Sequence, residues 1–149
     1  MDRVRTVLAA TTVVAAVSTA GSLYFSLGLG LTPCDLCWYQ RILMYPLVAV
    51  LGVATVERRR AVWRTGLFLS VPGLAIAAYH SYLQVNPAVG ATCGLGGGCA
   101  SVLYPIAGGL LTIPRLSLVG FVLVTAGLAW LAAPRIRSIS VPTGSKSTR

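Results

Sequence analysis

The stretch VLAATTVVAAVSTAGSLYFSLGLGL, Val7 to Leu31, carries no charged side chain. At about 1.5 Å per residue, a helix of this length exceeds the roughly 30 Å hydrocarbon core of a bilayer. It reads as a membrane span, and the rest of the chain is read outward from it. Thr65 to Val85 is a similar run, with His80 as its only group that ionises near neutral pH. Leu116 to Ala133 is another, closed by Pro134 and Arg135. Ile42 to Val56 is too short to cross alone, at about 22 Å of helix. Starting that helix at Trp38 makes it long enough and places Arg41 in the first turn, where its long stem lets the guanidinium snorkel to the interface. The sequence therefore predicts an all-α integral membrane protein, a bundle of four transmembrane helices over 7–31, 38–56, 65–85 and 116–133. Pro46 and Pro72 are expected to kink the second and third. Met1 to Gly21, with its basic start and small Ser18 and Ala20, also has the pattern of a cleaved signal peptide. The apolar run continues well past Ala20, and cleavage would leave three spans, so the segment is read as a retained helix.

Composition agrees. Hydrophobic residues make up 56% of the 149 and charged residues 10%, where a soluble domain has about 25% charged. A water-soluble globule is excluded, and so is a disordered chain, which needs low hydrophobicity and high charge. On a soluble protein the net charge of +9 would suggest a nucleic-acid surface. Its distribution points elsewhere. Arg3 and Arg5, then Arg58, Arg59, Arg60 and Arg64, then Arg135, Arg137, Lys146 and Arg149 lie in three segments that four spans place on one side. Only Arg41 and Arg115 remain for the other. The positive-inside rule puts both termini in the cytoplasm of a multi-pass cell-membrane protein. The charge is then a topology signal facing membrane lipid, and no nucleic-acid partner is expected. Residues 1–133 form the membrane domain, and 134–149 are a basic cytoplasmic tail expected to be disordered.

All four cysteines fall in the two outward-facing loops, about 32–37 and 86–115: Cys34 and Cys37 in the first, Cys93 and Cys99 in the second. Disulfides form and persist outside the cytoplasm. Cys34-Asp35-Leu36-Cys37 is a C-x-x-C pair, a frequent redox arrangement. Zinc held by four cysteines and two inert structural disulfides are the competing readings. Cys37 lies where the second helix begins, so the positive end of the helix dipole favours its thiolate. Arg41, four residues on, shares that face and suits either the thiolate or a carbonyl oxygen of a bound acceptor. A lipid-phosphate anchor is the alternative for Arg41. His80 lies about 8 Å from the outer end of its span, and an intramembrane ionisable residue is a functional candidate. A His satisfied by an interhelical hydrogen bond is its alternative. These groups share one depth, which suits a thiol site beside a lipid-dissolved electron acceptor. Four glycines within Gly94 to Gly98 make the Cys93–Cys99 connection pliant. Ala100 to Leu111 is apolar but too short to span, and fits an interfacial segment or a cover over the helix ends.

Pro33-Cys34-Asp35-Leu36-Cys37-Trp38-Tyr39-Gln40-Arg41 resembles the DsbB/BdbC family of membrane thiol oxidases, quinone-linked disulfide bond formation proteins. The resemblance continues at Tyr79-His80-Ser81-Tyr82-Leu83-Gln84, at Cys93 and Cys99, and at Thr112-Ile113-Pro114-Arg115-Leu116-Ser117-Leu118. The short Cys93–Cys99 spacing is similar to the BdbC-type branch. The resemblance implies a four-helix bundle that reoxidises a thioredoxin-fold thiol oxidase outside the cytoplasm and passes the electrons to ubiquinone or menaquinone. It implies that Cys93 takes the mixed disulfide with the partner, that Cys99 attacks Cys34, and that Cys37 lies beside the quinone. Arg41 and His80 would line the quinone site, and no metal is required. Gln84 matches the pattern without an assigned role. The alternative is a non-enzymatic membrane protein with structural disulfides or a zinc clip in its outer loops.

Overall fold

The computed structural model describes residues 2–86 and 112–133. Cys93, Cys99, the segment 100–111 and the tail 134–149 lie outside the described residues. Four helices make the fold: α1 (Asp2–Leu23), widening into a π-helical turn at Tyr24–Gly28; α2 (Asp35–Glu57); α3 (Trp63–Val85), entered through a 3-10 turn at Arg60–Val62; and α4 (Ile113–Ala132). All four are long and apolar enough to cross a membrane. No strand occurs among the described residues.

The helices pack because each carries one inward stripe with alternating steps of three and four residues. In α2 it is Gln40, Met44, Leu47, Leu51 and Ala54; in α3 Gly66, Ser70, Gly73, Ala77 and His80; in α4 Phe121, Val124, Leu128 and Leu131. A mean step of 3.5 keeps the stripe facing a neighbour crossed at a shallow angle, the geometry of most membrane bundles. Each helix packs on the next in chain order and α4 returns to α1, leaving α2 and α4 on a diagonal. Outward positions are large and apolar; Phe68, 79% exposed, is a lipid-facing residue in a bundle of this kind. Lipid is as apolar as the core, so close approach of the helices supplies the attraction. Glycines permit that approach: a Cβ on Gly73 would stand 2.1 Å from Phe121, and one on Gly66 2.7 Å from Leu128.

Polar side chains fasten the ends. Arg60 donates from Nε to the carbonyl of Leu131 (2.9 Å) and from Nη2 to that of Ala133 (2.8 Å), satisfying carbonyls that the end of α4 leaves without helical partners. At the opposite end Thr112, which precedes α4, donates to Gln84 Oε1 at 2.7 Å. Gln84 thereby gains a role: it fixes the start of α4 against the end of α3.

Every helix starts before its uncharged run, but α1 with its π turn ends at Gly28, short of the expected Leu31. α2 begins at Asp35, so Cys34 is its N-cap and Cys37 lies inside its first turn. Asp35 is favoured there by the helix dipole, although its charge interrupts the apolar pattern. α4 begins at Ile113 with Pro114 in its first turn, a position where proline loses no helical hydrogen bond. Arg115 is therefore helical. Pro46 and Pro72 are contained within continuous helices.

Candidate active site

The end of the bundle that holds Cys34 gathers its chemistry at one point. Cys34 has extended backbone (ψ 167°) and stops helix α2 from running back into the loop. Its sulfur lies 2.8 Å from that of Cys37, and no disulfide joins them. His80, 2% exposed, reaches across from α3 with Nε2 at 3.8 Å from the Cys34 sulfur. His80 Nδ1 meets Gln40 Nε2 at 3.1 Å, and Gln40 Oε1 accepts from the hydroxyl of Ser117 on α4 at 2.6 Å. Three helices thus contribute to one chain of polar contacts ending on the two sulfurs.

The sulfurs are not equivalent. The contact with Cys37, first, and burial push the Cys34 thiol up to about 12, against a downward pull from His80. A thiol hydrogen-bonded to a neighbouring sulfur holds its proton, and the neighbour carries the charge when the pair loses one. Cys37, in the first turn of α2 at the positive end of the helix dipole, is placed to be that thiolate.

Beside the sulfurs a cavity of about 300 Å³ opens among the four helices. Val17, Gly21, Phe25, Met44 and Leu116 make its walls largely apolar, and Cys37 and Arg41 reach it from α2. Arg41 is held against α1, donating from Nη2 to the carbonyl of Ser22 (3.0 Å) and to the hydroxyl of Ser26 in the π turn. Its guanidinium lies 5.6 Å from the ring centre of Trp38. Two lining side chains present buried polar atoms with no protein partner, Nε of Arg41 and the hydroxyl of Tyr45. Such atoms are costly unless something pairs with them.

Of the residues singled out in the sequence, Cys34, Cys37, Arg41 and His80 all line this cavity. The polar atoms of His80 face Cys34 and Gln40. Cys93 and Cys99 lie outside the described residues. The donor atoms of Cys34, Cys37 and His80 lie within 4.8 Å of one another, so redox and zinc readings differ in chemistry more than in spacing. Gln40, Ser117 and Tyr45 were missed as functional residues. A signal was present for Gln40 and Ser117: each is a polar residue on its helix's inward stripe, four residues before Met44 and Phe121.

A family model described as disulfide bond formation protein DsbB matches residues 3–131. The chain belongs to the DsbB family. Among its relatives, disulfide bond formation protein C of Bacillus subtilis is 41% identical over 119 residues, covering 78% of this chain and 86% of the relative. A probable disulfide formation protein of Oceanobacillus iheyensis is 39% identical over 72% of this chain and 76% of its own length. One of Deinococcus radiodurans is 37% identical over 87% and 88%. No solved structure matches. Membership in the DsbB family makes this a membrane protein of disulfide bond formation, and its C-x-x-C pair sits at the end of a four-helix bundle.

Proposed function

We infer that the protein is a quinone-linked dithiol oxidase that returns an extracytoplasmic thioredoxin-fold thiol oxidase to its disulfide form. The observation that carries this reading is the juxtaposition of the Cys34–Cys37 pair with an apolar cavity lined by Arg41 and Tyr45, each of which has an unpartnered buried donor, Nε and Oη. Arg41 and Tyr45 would hold the quinone oxygens. A quinone bound there supplies a two-electron acceptor dissolved in the membrane. The chain's own residues do the rest. Oxidising the Cys34–Cys37 dithiol removes two electrons and two protons and forms one S–S bond. Cys37 is the thiolate presented to the cavity, and Cys34 holds the second proton until its sulfur attacks. Arg41 brings positive charge to the place where negative charge gathers.

Cys93 and Cys99 complete the relay: Cys93 takes the mixed disulfide with the partner, and Cys99 attacks Cys34 once the Cys34–Cys37 disulfide has formed. Each exchange transfers one disulfide and conserves electrons. Both cysteine loops face outward and both termini lie in the cytoplasm, as the arginine distribution requires. Residues 1–133 form the membrane unit, with 134–149 as its tail.

The test is quinone reduction by purified protein in detergent, with a reduced thioredoxin-fold oxidase as donor and short-chain ubiquinone and menaquinone analogues as acceptors. Wild-type turnover that disappears in Cys37→Ser supports the reading. Retained turnover in that variant removes Cys37 from its role. Inert cysteines with stoichiometric zinc would establish the metal clip instead.

A further inference from the structure

The contact chain from Ser117 to Cys37 has a direction. Gln40 presents its amide nitrogen, which only donates, to His80 Nδ1, and its oxygen, which only accepts, to Ser117. Nδ1 is then an acceptor, so the ring hydrogen of a neutral imidazole lies on Nε2, the atom facing the Cys34 sulfur. Either sulfur of the pair could donate across the 2.8 Å between them; with a thiolate at Cys37 the donor is Cys34. Each link donates to the next: Ser117 to Gln40, Gln40 to His80, His80 to Cys34, Cys34 to Cys37. The opposite polarity is also self-consistent, running from a Cys37 thiol back to Ser117. It requires Cys37 to be protonated and the buried Gln40 amide, 6% exposed, to be turned over.

We propose that Gln40 is a positioning residue that holds His80 in its Nε2–H tautomer, so that the whole chain donates toward Cys37 and favours its thiolate. His80 then acts as a donor to Cys34, and not as a base that removes its proton. The Cys37 end decides the polarity: a thiolate there can only accept, so Cys34 donates to it, His80 to Cys34 and Gln40 to His80, while the Ser117 hydroxyl, able to donate or accept, completes the amide's contacts. Aligned donors polarise one another, so the last link gains from the first. The proposal rests on the reading of Cys37 as the reacting thiolate.

The protein has a single histidine, so one label reports the lock. Full-length protein carrying ¹⁵N-histidine is reduced in micelles near neutral pH. Couplings from the two carbon-bound ring protons then identify which nitrogen carries hydrogen. The expected result is Nε2–H in the wild type. In Gln40→Glu the carboxylate can only accept, so the ring hydrogen is drawn to Nδ1 and the Nδ1–H share rises by about tenfold or more, the range of a charge-assisted hydrogen bond. Alkylation of Cys37, mapped by mass spectrometry under the same conditions, slows in the same variant. An Nδ1–H wild type overturns the proposal. So does a Gln40→Glu protein with unchanged tautomer, whatever its alkylation rate. Neither readout uses a quinone, so a protein that passes both yet reduces no quinone would refute the proposed function and leave the lock standing.

Discussion

Gly73 is the position where packing makes the hardest demand. A Cβ there would lie 2.1, 2.4 and 2.7 Å from Cε1, Cζ and Cδ1 of Phe121. Carbon atoms settle at about 3.5–4.0 Å, so Gly73→Ala requires the ring or the helix to move by at least about 1.4 Å. Phe121 is fully buried, and a ring cannot yield as the end of a flexible chain does. The expected cost is about 2–3 kcal/mol, the upper part of the overpacking range. Most of it comes from parting α3 and α4. Gly52 is the control: the nearest atom to its added Cβ is Thr12 Cγ2 at 3.9 Å, an ordinary contact. There the helix-propensity gain of alanine, up to about 1 kcal/mol, is free to appear. Thermal unfolding in one detergent, followed by circular dichroism, should place Gly73→Ala several degrees below wild type and Gly52→Ala level with it or above. Adding Phe121→Leu should recover part of the Gly73→Ala loss, a coupling that only touching residues show. A Gly73→Ala protein as stable as wild type would refute the packing described for α3 and α4. His80 is two helical turns beyond Gly73 and Ser117 one turn before Phe121, so the same variant should also slow the thiol chemistry.

Three further outcomes are expected. Arg41→Ala should raise the KM for a quinone analogue about tenfold or more, since a charge-assisted hydrogen bond is worth roughly 1.5–3 kcal/mol; an unchanged KM would leave Arg41 as a brace for α1. Tyr45→Phe should weaken the same KM by a smaller factor, about three- to tenfold, with unfolding unaffected; no change would mean that its hydroxyl meets no quinone oxygen. In the reduced protein, alkylation of Cys34 should keep accelerating past pH 9, because the thiol is pushed up to about 12 and its reactive thiolate gains population only near that value. Cys37→Ser removes the largest cause of the upward shift, so its Cys34 profile should level off at lower pH; identical profiles would show that the two sulfurs do not share a proton.

The class of this protein was legible in the sequence because a bilayer imposes a length. Four apolar runs and arginines concentrated in alternate connections announce a four-span bundle without any knowledge of how the helices touch. The C-x-x-C pair and Arg41 were legible as well, since three and four residues of spacing hold them together on any helix. His80 was visible as an ionisable group within a span, but its partner was not. Its link to Cys34 joins residues far apart in the chain, and no local pattern carries it. Helix starts were misplaced for a related reason: apolar runs report where lipid begins, whereas Cys34, Asp35 and Pro114 report where backbone hydrogen bonding begins.

The sequence by itself determined that the chain crosses a membrane, which segments share a side, and which residues are capable of redox chemistry. Only the tertiary structure decided that Gln40 of α2, His80 of α3 and Ser117 of α4 meet, and that Arg41 and Tyr45, each with a buried unpartnered donor, line one cavity. The physical reason is that hydropathy and local spacing are properties of single helices. A hydrogen bond between helices depends on how each is rotated about its axis, and that is fixed by where glycines such as Gly73 let their neighbours approach.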